Sequence, residues 1–372
     1  MNDQQRFVTL AEAESMVEAA VAKVRLGLAR APRPFKVFGL GATSKYAKRV
    51  CEKLGVPITP HTEKTFDDGE VYLKSGPEHN DAEVGNVRGH NVFVIQSLYS
   101  DEEESVNDKL VKLCFMCGSL KDASAHEVTP IIPHLGYARQ DRKTESRAPI
   151  CTKYVARMLE SVGIDRVLMF DAHNLSAEQN AFSVPIDNLE AKRLFASWCA
   201  KTLCKSPKIR VLTPDSGGLN RCTRFRNALV EELRALGAEE TADEIEVVIF
   251  DKVRVKGQVY GGRIIGDVDG ADVVAYDDMI STGGTMKKAC RAALDGNARL
   301  HAICATHGLF VGNANEVFDG LDTKIVVTDT VDPFRLTESN RKKLEVISTT
   351  EMVASAIMRI HSGTGSISEL LR

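Results

Sequence analysis

Two adjacent carboxylates followed by small residues form the segment most suited to chemistry. Residues 273–276 are apolar and have the length of a buried strand, and Asp277 and Asp278 follow them directly. A small-residue turn comes next and leads into a helical pattern: Ser281, Thr282, Gly283, Gly284 and Thr285. Glycines permit close backbone approach, and N–H groups at a helix N-terminus bind phosphate. Because the carboxylates would repel that phosphate, we expect them to face sugar hydroxyls or a cation's water shell. The segment therefore predicts a sugar 5-phosphate site.

Two further segments can recognise a nucleotide. In residues 65–70, Phe66 offers a flat apolar face to a purine, while Asp68 and Glu70 can accept hydrogen bonds on either side of Gly69. After a strand-like run, Arg139 can neutralise phosphates and Gln140 can contact a base. The alternatives are an aromatic core residue beside a polar turn and a solvated charged loop.

Three more positions carry side chains for metal or phosphate chemistry. His173 follows an apolar run and lies near Asp171; a lone histidine is usually structural, but one at a strand end near carboxylates can serve a cation. Gly217 and Gly218 let the chain pass close to a bound substrate. Lys252 and Arg254 alternate along a strand-like segment, so both point to one side and can close over phosphates. An exposed basic hairpin is the alternative for this pair.

The elements that must position these residues form an alternating α/β pattern that occurs twice. Apolar runs of strand length are separated by stretches with helical periodicity, which predicts parallel sheets covered on both faces. The first strands are expected at residues 35–40, 92–95, 128–132 and 167–170. The second series is expected at residues 209–213, 245–250, 273–276, 302–306, 325–328 and 346–348. Ligands bind at the carboxyl ends of such strands, where the candidate residues lie.

Composition limits the class of protein. The 372 residues suit about two domains, and a net charge of −3 with 43% hydrophobic residues describes a globular chain without the basic excess of a nucleic-acid-binding protein. No apolar run approaches the length of a membrane span, so we expect neither nucleic acid nor membrane as partner. Nine cysteines, an odd number, favour a reducing compartment and a cytoplasmic location. Residues 1–31 are expected to form a helix that ends at Pro32 and Pro34.

The loop at residues 277–285 resembles the phosphoribosyl-diphosphate loop of type I phosphoribosyltransferases and ribose-phosphate diphosphokinases. Other segments resemble diphosphokinase motifs in the family's order: residues 65–70, 136–142, 171–173, 213–218 and 251–254. The resemblance covers about residues 35–370. It implies an α/β fold of two duplicated type I phosphoribosyltransferase-like domains, each a mostly parallel sheet flanked by helices. We place them at residues 32–187 and 188–372, after an N-terminal extension of residues 1–31.

The resemblance also implies a reaction and a site. The 1-hydroxyl of ribose 5-phosphate attacks the β-phosphorus of Mg²⁺-ATP, and the products are 5-phosphoribosyl 1-diphosphate and AMP. Lys252 and Arg254 match the family's catalytic pair, and His173 and Asp215 match its Mg²⁺ ligands. The matching ATP residues are Phe66, Asp68, Gly69, Glu70, Arg139 and Gln140. The residues matching the ribose 5-phosphate site are Asp277, Asp278, Ser281, Thr282, Gly283, Gly284 and Thr285. A homo-oligomer, dimer or hexamer, is implied, with the ATP site partly on a loop that neighbouring subunits share.

Two alternatives remain at this point. A type I phosphoribosyltransferase would use the same loop but would need neither Lys252 and Arg254 nor a second domain. A non-catalytic homologue that acts by interaction would have lost the cations or the acidic loop, and both are present. One departure concerns the loop itself, because Ser281 stands where the diphosphokinases usually have aspartate.

Overall fold

The computed structural model describes residues 33–78, 83–255 and 258–371, together with residue 18; the predicted N-terminal helix lies outside the described residues. In the first half, the strands are β1 Phe35–Gly39, β2 His61–Thr65, β3 Val71–Ser75, β4 Asn91–Ile95, β5 Glu127–Ile132, β6 Val167–Phe170 and β7 Ile186–Leu189. The helices are α1 Ser44–Leu54, α2 Val106–Asp122, α3 Cys151–Ser161 and α4 Leu175–Ala181. A five-stranded parallel sheet has the order β1-β4-β5-β6-β7, and β2 and β3 form a separate antiparallel hairpin.

Helix α5 Lys192–Leu203, the last helix of the first repeat, leads into the second half. The strands of the second half are β8 Ile209–Thr213, β9 Glu246–Val255, β10 Gln258–Ile265, β11 Asp272–Ile280, β12 Arg299–Gly308, β13 Lys324–Thr328 and β14 Leu344–Ile347. Its helices are α6 Leu219–Ala235, α7 Glu239–Asp243, α8 Gly284–Asp295, α9 Ala314–Asp319, α10 Glu338–Arg341 and α11 Thr350–Ser362. The seven-stranded sheet has the order β10-β9-β8-β11-β12-β13-β14, in which β10 and β9 pair antiparallel and the remaining strands run parallel.

The two halves repeat one topology. Each consists of a strand, an antiparallel hairpin and four further parallel strands, so β1-β4-β5-β6-β7 corresponds to β8-β11-β12-β13-β14. The first paired residues of β4 and β11 are Asn91 and Asp272, which are equivalent in the two repeats. Counting from them, Gln96 and Ser97 are equivalent to Asp277 and Asp278. The predicted fold class, two repeated α/β domains with mostly parallel sheets flanked by helices, is confirmed.

Each half is completed by the last helix of the other half. Helix α5 follows the first sheet but packs on the second, where Phe195 lies in one core cluster with Phe225 and Tyr276. Helix α11 follows the second sheet but packs on the first, where Ile357 lies in one core cluster with Phe93. This reciprocal exchange of helices fixes the two halves against each other.

The halves also meet at two histidines in corresponding positions. The rings of His134, just after β5, and His307, near the end of β12, have centroids 4.7 Å apart. Burial lowers the pKa of His134 well below its usual value and that of His307 to about 4. Both rings are therefore neutral, and they form a structural contact at the junction.

The exchange changes how the chain is best divided. The predicted boundary between residues 187 and 188 falls inside β7, an edge strand of the first sheet. We propose instead that the first repeat ends after α5, and that α5 and α11 each pack on the sheet of the other repeat.

Candidate active site

Arg221, in the first turn of α6, neutralises the acidic pair at the end of β11. Its Nη1 donates to Asp277 Oδ1 at 2.8 Å and lies 3.2 Å from Asp278 Oδ1. Its Nη2 donates to the carbonyl oxygen of His173 at 3.2 Å, while His173 Nδ1 lies 2.7 Å from Asp278 Oδ2. We call these four residues, His173, Arg221, Asp277 and Asp278, the Arg221 cluster. It joins the second half to the loop after β6.

The charges of the Arg221 cluster are strongly interdependent. Burial and the charge of Asp278 together raise the pKa of Asp277 well above its usual value. Burial acts in the same direction on Asp278, but the hydrogen bond from His173 and the charge of Arg221 outweigh it and lower the pKa of Asp278. The same hydrogen bond raises the pKa of His173. The surroundings thus favour the charged form of Asp278 and the neutral form of Asp277.

Asp171 holds the loop that carries His173. Its backbone has φ = +38°, in the left-handed region that non-glycine residues rarely adopt. The buried carboxylate accepts hydrogen bonds from the N–H of Ala191 at 2.9 Å and from the hydroxyl of Thr306 at 2.5 Å. Burial raises the pKa of Asp171 to about 6. Because Thr306 belongs to β12, these bonds anchor the loop to the other half and stabilise its strained backbone.

Glu178 is a fully buried acid beside the same loop. Its Oε1 lies 3.5 Å from the N–H of Asn174 at the start of α4, and its Oε2 has no hydrogen-bond partner among the described residues. Burial raises the pKa of Glu178 to about 7. It lines a small cavity of about 10 Å³ with His173 and the two junction histidines. A carboxyl group in this position is partly protonated at neutral pH.

Residues 281–283 form the turn between β11 and α8, and Gly284 and Thr285 begin the helix. Gly283 has φ = +74°, and a Cβ there would lie 2.9 Å from ring atoms of Phe318, so both the backbone and the available space require glycine. Thr282 and Thr285 are exposed. The first N–H groups of a helix lack intrahelical partners and, with the helix dipole, favour an anion. This geometry is suited to the predicted phosphate.

Arg139 and Gln140 line a cavity of about 320 Å³ between the halves. Apolar side chains from both halves, including Leu98 and Met279, form much of its wall. Arg335 joins the two halves at this cavity, donating to Leu309 O at 2.9 Å and to Ser100 Oγ at 3.1 Å. The size falls in the range of small-molecule sites.

The other residues predicted to bind ATP lie on the turn of the β2–β3 hairpin. Phe66 N–H donates to Glu70 O at 2.8 Å, and Asp68 Oδ1 accepts from the N–H of Glu70 at 3.0 Å. Gly69 has φ = +89°, and Phe66 is 53% exposed. Within the described chain, these four residues are not part of the cavity lining. The fold brings Arg139 and Gln140 together but leaves the hairpin turn apart from them.

Asp215 and the backbone of Lys252 lie at the same edge of the second sheet as the acidic pair. Strand β8 lies between β11 and β9, and all three are parallel. Asp215 follows β8 and accepts a hydrogen bond from the N–H of Gly218 at 3.2 Å. Thr213, the last residue of β8, pairs with Ile249, so the later part of β9 extends past this edge. The side chains of Lys252 and Arg254 lie outside the described part of the structure.

Sequence reasoning missed Arg221, which connects the cluster. A signal was available, because Arg221 is the third residue of α6 and a helix N-terminus disfavours cations. An arginine in the first helical turn therefore indicates a nearby carboxylate partner. Glu178 was missed as well, and Asp171 was noted only as a neighbour of His173; the roles of both follow from burial in the folded chain.

The predicted metal ligands offer a partial set of donors. Within the described ranges, no group of three or more histidine, cysteine, aspartate or glutamate side chains is arranged to hold a metal ion. Mg²⁺ usually takes one or two protein ligands and completes its shell with water and substrate phosphates. Asp215 supplies the oxygen ligand that Mg²⁺ prefers, and His173 offers nitrogen, a less usual donor for this ion. The residues fit a Mg²⁺ ion that arrives with a phosphorylated substrate.

Known proteins match this chain in both of its halves. Residues 35–163 match the N-terminal domain of ribose phosphate pyrophosphokinase, and residues 242–372 match the phosphoribosyl synthetase-associated domain. The ribose-phosphate pyrophosphokinase of Pasteurella multocida is 37% identical over 90% of this chain and 98% of its own length. Ribose-phosphate pyrophosphokinase 1 of Streptococcus agalactiae is 33% identical over 88% of this chain and 94% of its own. The phosphoribosylpyrophosphate synthetase structure from Mycobacterium smegmatis has a TM-score of 0.76 and 28% identity, covering 89% and 100% of the respective chains.

The fold and the relatives together define an enzyme built of two fused α/β halves. More specifically, the chain belongs to the ribose-phosphate pyrophosphokinase family. The predicted resemblance is thereby confirmed, since diphosphokinase and pyrophosphokinase name the same activity. A search of the described helices finds none with the length and apolar character of a membrane span.

Proposed function

We propose that the protein transfers the diphosphate of Mg²⁺-ATP to the 1-hydroxyl of ribose 5-phosphate. The observation that carries this proposal is family membership across both halves. In addition, Arg221 joins the acidic pair, which precedes the predicted phosphate turn, to His173. The 1-oxygen forms a bond to the β-phosphorus, and the bond between that phosphorus and the α,β-bridging oxygen breaks. AMP leaves, the hydroxyl proton is released, and 5-phosphoribosyl 1-diphosphate remains.

Each part of the site has a task in aligning two anionic substrates. The segment at residues 281–285 seats the 5-phosphate, and Asp277, whose side chain is 23% exposed, addresses the ribose hydroxyls. Lys252 and Arg254 close over the transferred group and stabilise the charge that develops on it. His173 and Asp215 hold Mg²⁺, which when bound supplies positive charge against the ATP phosphates.

The ATP site draws on two surfaces. Arg139 and Gln140 line the cavity between the halves, and we assign the triphosphate and base edge of ATP to them. Phe66, with Asp68, Gly69 and Glu70, presents an exposed aromatic turn outside that lining. We therefore propose that this hairpin completes the ATP site of a second copy of the chain in a homo-oligomer, either a dimer or a hexamer. A cytoplasmic location is part of the same proposal.

The experiment is an incubation of the pure protein with Mg²⁺, ATP and ribose 5-phosphate, with AMP and 5-phosphoribosyl 1-diphosphate measured together. We expect equal amounts of both products and no AMP when ribose 5-phosphate is omitted. Consumption of 5-phosphoribosyl 1-diphosphate with a free base would instead identify a phosphoribosyltransferase. A folded protein that is inactive in both assays would contradict an enzymatic role.

A further inference from the structure

Asp278 differs from its neighbour Asp277 in exposure, although both residues follow the same strand. The Asp278 side chain is 2% exposed, whereas that of Asp277 is 23% exposed. Burying a carboxylate is costly unless it is paired and hydrogen-bonded, so Asp278 must satisfy its oxygens within the protein. A residue of this kind is poorly placed to receive a sugar hydroxyl.

Both carboxylate oxygens of Asp278 are in fact engaged. Oδ2 lies 2.7 Å from His173 Nδ1, and Oδ1 lies 3.2 Å from Arg221 Nη1. Asp277, in contrast, contacts Arg221 and the N–H of Asp278 but not His173. The two aspartates share Arg221, but only Asp278 contacts the imidazole and can orient it.

We propose that Asp278 is a positioning residue that accepts the Nδ1–H of His173 and so leaves Nε2 as the nitrogen available to a ligand. Nδ1 and Oδ2 are 2.7 Å apart, and the other oxygen of the same carboxylate faces the Arg221 guanidinium, which can only donate. With the carboxylate as acceptor on both sides, Nδ1 carries the proton in this pair. The described residues provide no hydrogen-bond partner for Nε2, and the His173 side chain is 34% exposed.

The consequence concerns metal binding and rests on the proposed function, which places Mg²⁺ at His173. Histidines that bind metals almost always donate their other ring N–H to a carboxylate or carbonyl oxygen, and loss of that partner costs about 10–100-fold in metal affinity or activity. Asp278 is the carboxylate that stands in this position. Because Asp278 belongs to the second half and His173 to the first, the pair also makes the ligand orientation depend on the junction between the halves.

The test compares two nearly isosteric variants of adjacent residues, Asp278→Asn and Asp277→Asn. In the unmodified protein, proton NMR should show a low-field, hydrogen-bonded Nδ1–H resonance that is assigned to His173 by its loss in His173→Gln. We expect this resonance to disappear in Asp278→Asn and to persist in Asp277→Asn. Mn²⁺ titration of the same proteins, followed by electron paramagnetic resonance, should show affinity about 10–100-fold weaker in Asp278→Asn and near normal in Asp277→Asn.

Two results would overturn the proposal. The first is a His173 spectrum of the unmodified protein in which Nε2 carries the proton and Nδ1 does not. This measurement does not depend on whether an Asp278 variant folds. The second is an Asp278→Asn protein that retains the resonance and Mn²⁺ affinity but binds ribose 5-phosphate more weakly in calorimetry, because that pattern defines a sugar contact. Failure of the proposed function would appear separately, as absence of AMP formation by the unmodified protein.

Discussion

The two halves of the molecule share a topology but differ in the charge they place at corresponding positions. At corresponding positions of β4 and β11, the first half has Gln96 and Ser97 where the second half has Asp277 and Asp278. Ser97 Oγ donates to the carbonyl of Thr330, after β13, at 2.6 Å. Asp278 bonds to His173, after β6. Both contacts cross the junction between the halves. A neutral hydroxyl is sufficient for such a contact, so we attribute the charge of Asp278 to the orientation of His173 proposed above.

The hairpins show the same divergence. Along the sequence, the β2–β3 hairpin lies between β1 and β4, and the β9–β10 hairpin lies between β8 and β11. The first hairpin ends in the exposed aromatic ring of Phe66, whereas the second carries Lys252 and Arg254 on β9. Under the proposed function, the repeated scaffold would separate recognition of a base from stabilisation of phosphate charge, and variants can test that division.

The largest effect is expected at the second hairpin. Lys252→Ala should lower turnover by about 10³-fold, because a cation that stabilises transferred phosphate is worth roughly that factor. The melting temperature should not change. Arg263→Ala is the control, because Arg263 is an exposed cation on the same hairpin, 3.8 Å from Asp251, and it should retain turnover. Equal losses in both variants would mean that general charge, rather than Lys252, matters.

The next effect is on stability and lies in the Arg221 cluster. Arg221→Gln should lower the free energy of unfolding by about 3 kcal/mol at neutral pH, because it leaves buried carboxylates without their cation. Arg49, in the first half, pairs with Asp329 at 3.2 Å but is 52% exposed, so Arg49→Gln should cost less than about 1 kcal/mol. Urea unfolding measures both values. Similar losses would contradict the view that Arg221 stabilises the fold by pairing with buried carboxylates.

A smaller effect with a characteristic pH dependence is expected at Glu178. Its pKa is raised to about 7 in the folded chain, so its contribution is favourable at low pH and is lost as pH rises from the usual glutamate value through 7. Glu178→Gln should therefore stabilise the protein at pH 8, by at most about 3 kcal/mol. Little gain is expected at pH 4. Thermal unfolding at both pH values tests this, and an equal gain at both would show that ionisation is not the cause.

The smallest effect is expected at the first hairpin. Phe66→Ala should raise the KM for ATP about tenfold, since stacking of a base on an aromatic ring is worth roughly 1–3 kcal/mol. The KM for ribose 5-phosphate and the melting temperature should not change. Tyr72, 44% exposed on β3 of the same hairpin, provides the control, because Tyr72→Ala should leave the KM for ATP unaltered. An unchanged KM in Phe66→Ala would remove the hairpin from the ATP site.

Much of the fold could be predicted because buried parallel strands are continuous apolar runs. The strands at residues 167–170 and 209–213 have the predicted bounds. Strand β11 continues four residues beyond the predicted end at Tyr276, through Asp277 and Asp278 to Ile280. Apolar patterning could not show this extension, because these carboxylates are buried by pairing with Arg221, a partner 56 residues away for Asp277.

Other features depend on contacts that periodicity does not encode. The helical pattern near residues 350–360 shows that one face of α11 is buried, but not that it packs on the first sheet. The types and order of the candidate site residues could be predicted from motifs. Their grouping could not, because the position of Phe66 relative to Arg139 depends on how the hairpin projects from the sheet.

The crossing of α5 and α11 bears on how such a molecule could have originated. A single ancestral half would lack the exchanged helix on one face of its sheet, where α1 or α6 would cover the core alone. Two separate copies could supply it by trading helices, as in domain swapping. Joining the copies in one chain turns an encounter that depends on concentration into an intramolecular step. Once joined, each copy was free to lose residues that the other retained.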